Sequence, residues 1–429
     1  MISEQSKSDV TVIKANPSRK TFRRTLINRI PDEVVNHPVL IAAREFLPSN
    51  YDFELPKTIW RIMQLKAQRV ALQFPEGLQM FAIKISDILE NATGVDIVIL
   101  SDVTYGACCV DDFTAKALKV DLLVHYGHSC LIPIDMSKDI DFLYVFVNIH
   151  IDMTHFEETI CYNFDIKQKL SFVSTIQFVT SLHEVSNRLK QKGYTCLIPQ
   201  KKPLSPGEIL GCTAPTVSED NIIIYLGDGR FHLEAVMIAN PNCRYFRYDP
   251  YEKKLTEEFY EHEHMRQLRF KAINRTQNAK KIGIILGTLG RQGSIAVLDY
   301  LMKYFEPSST RDVNKVEHIT KKKFVLVLLS EILPQKLDLF DDTIDAWIQI
   351  ACPRLSIDWG ESFKNPLLTP YEAHIALTYK SLDECSQNSQ YPMDYYAEGS
   401  LGPWTPKHKP EKNIKKHCKI NSLDCCNRS

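Results

Sequence analysis

Arg69-Val70-Ala71-Leu72-Gln73-Phe74 is the stretch from which the fold is read. It has the texture of a buried β-strand, and the segment behind it changes period. Phe81, Ile85, Ile88 and Ala92 fall at helical spacing, and Gly94 supplies a natural C-terminal stop. Further strands are expected at 96–100, 121–125 and 142–147. Continuous apolar strands separated by amphipathic helices predict a parallel sheet covered on both faces.

The same unit recurs. Residues 172–176 open a second copy, whose helix carries Leu182, Val185 and Leu189 and ends at Gly193. Strands at 194–198 and 222–226 complete it. A third copy opens at 282–286, continues through a helix with Ile295, Leu298 and Phe305, and closes with strands at 324–329 and 345–350. Openings roughly 100 to 110 residues apart suit three small α/β domains better than one large sheet. The expected fold is therefore α/β: three small parallel-sheet domains of similar pattern around a central site. Their expected spans are 41–160, 161–275 and 276–396. Residues 1–40 form a basic arm with Lys14, Arg19, Lys20, Arg23, Arg24 and Arg29 but no apolar period, and 397–429 read as a flexible tail.

Composition narrows the function. The chain has 429 residues, 44% of them hydrophobic, enough for a sizeable core and about three domains. Lysine plus arginine and aspartate plus glutamate both number 52, which argues against a generic grip on nucleic acid. No apolar run approaches the roughly 18 to 20 residues needed to span a bilayer, so no membrane role is expected. The start, Met1-Ile2-Ser3-Glu4, lacks a signal-like apolar region. A cytoplasmic location follows as the expectation, and in that reducing setting the twelve cysteines are not a disulfide framework.

Three cysteines stand in unusual settings. Cys108 follows a strand in Tyr105-Gly106-Ala107-Cys108-Cys109; Cys212 lies in Leu210-Gly211-Cys212-Thr213; Cys352 follows a strand in Ala351-Cys352-Pro353-Arg354. Open α/β sheets place their sites at the carboxyl ends of strands, so one cysteine per domain can converge on a central cavity. Three such thiolates suit an iron–sulfur cluster with one iron left without a cysteine; zinc, or three buried small side chains, are the alternatives. Cys196 reads as core, Cys109 as packing beside Cys108, and Cys130 as ambiguous. Cys161, Cys243 and Cys385 lack suggestive neighbours, and His417, Cys418, Cys425 and Cys426 in the tail fit no known zinc finger.

Several loops lie at the same strand ends. Phe74-Pro75-Glu76-Gly77, Gly227-Asp228-Gly229-Arg230-Phe231-His232 and Gly290-Arg291-Gln292-Gly293 bring Glu76, Asp228, Arg230 and Arg291 towards one rim, with His125 and His128 beside it. The glycine-rich turn before Gly293 has the geometry of an anion cradle but neither the dinucleotide spacing nor a Walker lysine. An arginine here can clamp a carboxylate through paired hydrogen bonds.

Taken together, LQFPEGL (72–78), DVTYGACCVDD (102–112), HYGHSC (125–130), GDGRFH (227–232), GRQG (290–293) and ACPRLSIDWG (351–360) closely resemble the diphthamide synthase family. The resemblance runs from about Pro31 to about Tyr396. It implies three domains with one cysteine each (Cys108, Cys212 and Cys352) holding a [4Fe-4S] cluster, with S-adenosylmethionine as co-substrate. The choice of Cys108 over Cys109 comes from the family pattern. The implied reaction moves the 3-amino-3-carboxypropyl group to a histidine of translation elongation factor two, by reductive radical cleavage that releases methylthioadenosine. It is the first step of diphthamide biosynthesis. A homologous second subunit and a small metal-binding electron donor are the implied partners. By motif position, Glu76, Gly77, Asp228, Arg230, Arg291, Gln292, Gly293 and Arg354 are the candidates for holding the cofactor, the arginines for its carboxylate. A quinolinate synthase-like dehydratase, or a scaffold or electron-relay subunit of the same complex, are the competing readings.

Overall fold

Val70, Ala71, Leu72 and Gln73 are all buried in strand β1 (Arg69–Gln73), as a strand covered on both faces requires. It pairs in parallel with β2 (Asp96–Leu100) on one side and β3 (Leu122–Tyr126) on the other, and β4 (Asp141–Val145) extends the sheet beyond β3. The crossover helix Ala82–Thr93 buries Ile85, Ile88 and Leu89 and stops at Gly94, whose φ of 70° only glycine adopts without strain. The computed structural model describes residues 29–101, 106–132, 140–305, 322–378, 391–393 and 395–409. Outside them lie Lys14, Arg19, Lys20, Arg23 and Arg24 of the arm, residues 102–105 of the DVTYGACCVDD motif, Cys385, and the tail residues His417, Cys418, Cys425 and Cys426.

The two later copies repeat this sheet. The second contains β5 (Lys169–Ser174), β6 (Thr195–Leu197), β7 (Asn221–Leu226), β8 (Arg244–Asp249) and β9 (Lys254–Glu258). The third contains β10 (Lys281–Gly287), β11 (Lys323–Leu329), β12 (Ala346–Ile350) and β13 (Leu367–Leu368). The strand orders are β2-β1-β3-β4, β6-β5-β7-β8-β9 and β11-β10-β12-β13. In each, the first strand lies inside the second and next to the third. That order reverses direction between first and third strands, and ligands in such sheets bind outside the carboxyl ends at this switch point.

Several expectations change in detail. β8 and β9 form an antiparallel hairpin that the parallel pattern did not foresee. β11 is an edge strand with Phe324, Val325, Leu326 and Leu328 exposed, not an apolar strand covered on both faces. The helix Met153–Asn163 straddles the expected border at 160 and buries Phe156 and Ile160 in the core of the second sheet. The second and third sheets share one core, in which Ile223, Val236 and Met237 join Ile282, Ile284 and Leu301. At the ends, Val34 and Leu40 pack into the first core, although the arm was expected to extend to residue 40. Residues 397–409, expected to be tail, are also placed: Ala397 and Thr405 are buried, and Glu398 N–H donates to the Lys202 carbonyl. Among the described residues no helix is long and apolar enough to cross a membrane.

Candidate active site

The carboxyl ends of the first three strands of every sheet open onto one cavity of about 1050 Å³. The first sheet contributes Gly77, Cys108 and His128; the second Gln177, Cys212, Asp228 and His232; the third Gln292, Glu331 and Cys352. Cys108 and Cys212 follow the second strand of their sheets, whereas Cys352 follows the third strand of its own. Three sheets of one topology thus bring three distant thiols to one space.

Each cysteine is fixed through its backbone. Arg291 N–H donates to the Cys108 carbonyl at 2.8 Å, and Gln73 Nε2 donates to the Cys109 carbonyl at 2.9 Å. Cys212 sits in a tight turn closed by Leu210 N–H to the Thr213 carbonyl, and its own carbonyl accepts from Tyr395 N–H at 3.1 Å. Cys352 precedes the helix Pro353–Trp359, and its carbonyl accepts from Gln349 Nε2 at 2.9 Å. The domains are tied together at the same level. Ser129 of the first donates to the buried Glu208 of the second, Arg291 of the third pairs with Asp112 of the first, and Arg354 of the third pairs with Glu234 of the second at 2.5 Å.

The electrostatics separate thiol chemistry from ligand chemistry. The Cys108 thiol is held well above its ordinary value by its hydrogen bond with Cys109 and by burial. Burial, with Cys108 nearby, pushes Cys352 up to about 12. Nucleophilic cysteines instead need a lowered value in an electropositive niche; these two stay neutral unless a metal binds them. Burial also pushes His128 and His232 down to about 4 and holds His125 well below its usual range. The neutral imidazoles of His128 and His232 therefore line the wall beside the thiols, and His125, outside that lining, stacks on His128. Among the described residues no three His, Cys, Asp or Glu side chains gather closely enough to hold a single metal ion.

Motifs, topology and cavity now stand together, and residues 74–387, a span holding all three cysteines, match the family described as "Putative diphthamide synthesis protein". The chain belongs to the diphthamide synthesis family. It is 53% identical to 2-(3-amino-3-carboxypropyl)histidine synthase subunit 1 of Gallus gallus, over 94% of each chain. The Homo sapiens protein of the same name is 53% identical, over 91% of this chain and 85% of the relative. That of Schizosaccharomyces pombe is 47% identical, over 98% and 94%. The enzyme expected from the motifs is the one for which these relatives are named, and the words "subunit 1" mark them as parts of a multi-subunit enzyme. Among solved structures, "Dph2 from Pyrococcus horikoshii with 4Fe-4S cluster" superposes with a TM-score of 0.64 at 23% identity, covering 81% of this chain and 94% of that one. At that identity the likeness shows a shared fold.

In this member of the diphthamide synthesis family, Gly77, Asp228, Gln292 and Arg354 line the cavity together with the three cysteines, while Glu76, Arg230, Arg291 and Gly293 lie outside its described lining. The arginines already have internal partners. Arg230 pairs with Glu258 at 2.8 Å, and Arg291 pairs with Asp112 and stacks over Phe113. Arg354 is 2% exposed and is held by Glu234, Asp358 and the Gly211 and Phe231 carbonyls. Gly293 serves the backbone: a Cβ there would meet the Gly287 carbonyl oxygen at 2.1 Å.

Sequence reasoning missed Tyr395 and Tyr396. Both are buried in one apolar cluster with Cys108 and Cys212, on a segment returning from the far end of the chain. Three tyrosines within 391–396 of an otherwise polar stretch were the available signal.

Proposed function

We propose that this chain is the catalytic subunit of a 2-(3-amino-3-carboxypropyl)histidine synthase. It transfers the 3-amino-3-carboxypropyl group of S-adenosylmethionine to a histidine of translation elongation factor two, the first step of diphthamide biosynthesis. It works in the cytoplasm with a homologous second subunit and a small metal-binding electron donor. The observation that carries the reading is the meeting of Cys108, Cys212 and Cys352, one from each sheet, at a single cavity.

The residues fit a [4Fe-4S] cluster better than one ion. A zinc ion draws its sulfurs to about 2.3 Å from a single point, whereas these thiols surround a space and do not close on one ion among the described residues. The buried Tyr395 hydroxyl beside them also lacks a partner. Three cysteine ligands leave one position for substrate, as an open catalytic metal site does. When bound, such a cluster supplies the electron that cleaves the bond between the sulfonium sulfur and the methionine γ-carbon.

The protein's part is binding and orientation. The interdomain ties hold three loops at fixed separation, and the apolar wall limits water around the reacting centre. The cavity, about 1050 Å³, is just above the range of roughly 300–1,000 Å³ for small-molecule sites, leaving room for a histidine side chain beside the co-substrate. Neutral His128 and His232 and the carboxylate of Asp228 line it and offer polar contacts to the co-substrate.

The test is anaerobic reconstitution with iron and sulfide, followed by addition of the second subunit, dithionite and S-adenosylmethionine. Methylthioadenosine release is expected, and Cys108→Ala, Cys212→Ala or Cys352→Ala should each abolish it. Release that survives all three replacements would refute the assignment.

A further inference from the structure

Beside the three cysteines stand two buried phenols, one with an unpartnered hydroxyl and the other with the Cys108 thiol in reach. Tyr395 and Tyr396 are 3% and 5% exposed; the Tyr395 hydroxyl makes no hydrogen bond, whereas the Tyr396 hydroxyl stands within reach of the Cys108 thiol. Burying an unpaired hydroxyl is unfavourable, and native interiors rarely leave one without a partner. Phenylalanine would fill the same space without that cost.

Both rings are fixed in place. Tyr395 N–H is bonded to the Cys212 carbonyl, and the rings meet edge to face with centroids 5.0 Å apart. They share an apolar cluster with Cys108 and Cys212. Tyr396 also lines the cavity alongside all three cysteines. An acceptor bound by the three cysteines would supply the partner that the Tyr395 hydroxyl lacks, and for Tyr396 a stronger one than a neutral thiol.

We propose that the Tyr395 and Tyr396 hydroxyls donate hydrogen bonds to sulfur atoms of the iron–sulfur cluster held by Cys108, Cys212 and Cys352. The inference rests on the proposed function. Sulfurs of a cluster accept hydrogen bonds, and those bonds are among the factors that set its potential. The reduced cluster carries more negative charge, and a donor to charged sulfur is stronger than one to a neutral acceptor. The two tyrosines thus favour the reduced state and raise the potential at which an external donor can load the electron. They are positioning residues, which shape the cluster's environment and transfer no group themselves.

The experiment is a redox titration followed by electron paramagnetic resonance, without S-adenosylmethionine, on wild type, Tyr395→Phe, Tyr396→Phe and the double variant. Iron and sulfide are measured on the same samples. The expected result is wild-type iron and sulfide, a midpoint potential shifted to more negative values in each variant and furthest in the double one, and altered g values. An unchanged potential in a fully loaded double variant overturns the inference. So does an unchanged potential with weakened S-adenosylmethionine binding, which would assign the hydroxyls to the co-substrate. A wild-type protein that takes up no cluster overturns the proposed function as well, and iron analysis separates that result from the others. Should a variant fail to load, the wild type still decides. Electron–nuclear double resonance after exchange into deuterium oxide should reveal strongly coupled exchangeable protons, and their absence overturns the inference.

Discussion

Arg354 Nη1 donates to the carbonyl oxygen of Gly211 at 3.2 Å, which couples the loop of Cys352 to the loop of Cys212 across two domains. The same guanidinium bonds Asp358 through Nε, the Phe231 carbonyl through Nη1 and Glu234 through Nη2. Removing one partner of a buried ionic group leaves the others uncompensated, a loss of about 3–5 kcal/mol. Arg354→Met should therefore lower stability by that order in urea denaturation and reduce iron retained per folded chain. Arg354→Lys keeps the charge but not the planar fork and should fall between. Unchanged iron retention in Arg354→Met would show that the tie does not set the site.

Cys108 and Cys109 are adjacent thiols with different surroundings, and iron analysis should tell them apart. Their sulfurs are 3.6 Å apart, but Cys108 lines the cavity whereas Cys109 lies behind it, its sulfur accepting from Gln292 Nε2 at 3.3 Å. Cys109→Ala should retain most of the iron, with a packing cost of about 1 kcal/mol for a small buried side chain. Cys108→Ala should lose it. Equal losses in both variants would remove the basis for choosing between them.

Much of the scaffold was legible because buried parallel strands must be continuously apolar. The runs opening at Arg69, Phe172 and Ile282 needed no tertiary information. The β8–β9 hairpin was not legible: Arg244-Tyr245-Phe246-Arg247-Tyr248-Asp249 mixes charges into the strand, and only its position beside β7 makes it the sheet's continuation. β11 shows the converse, since an apolar run does not report whether neighbouring elements cover it.

For the site, strand ends predicted position but not occupancy. Cys108, Cys212 and Cys352 line one cavity, the convergence expected from loops at strand ends, Cys108 and Cys352 following a strand and Cys212 lying in the loop before the next one. Arg230, Arg291 and Arg354 were singled out for charge, yet charge does not reveal that Glu258, Asp112 and Glu234 already stand beside them. Tyr395 and Tyr396 escaped because their contacts with Cys212 and Cys108 span long sequence separations and belong to no periodic element.

Gly290 tests how closely the third domain must approach the first. Its φ is 53°, and a Cβ there would meet the Cys109 Cα at 2.5 Å and the Cys108 carbonyl oxygen at 2.8 Å. Both contacts are with backbone, which cannot swing aside as a side chain would. Gly290→Ala therefore carries about 1–2 kcal/mol for the left-handed conformation and, in addition, displaces the Cys108 loop. Reduced stability with reduced iron content is expected. Wild-type iron content in a destabilised variant would confine the effect to the turn.

The lowered imidazoles give stability a sign with respect to pH. Burial disfavours the charged ring and pushes His128 and His232 down from the usual 6.5 to about 4 in the folded protein, and His125 is shifted the same way. Above 6.5 both states are neutral and the contribution is complete. As pH falls from 6.5 towards 4 the unfolded chain binds protons that the folded chain refuses, so stability declines. At about 1.4 kcal/mol per unit and group, His128 and His232 together give an upper figure of about 4 kcal/mol lost between pH 7 and pH 5; water in the cavity screens part of it. Denaturant titrations of the cluster-free protein at the two pH values measure this. His232→Gln, which does not titrate there, should remove the His232 share, about half of that two-residue figure. A loss of the same size in His232→Gln would place the acid sensitivity in other groups.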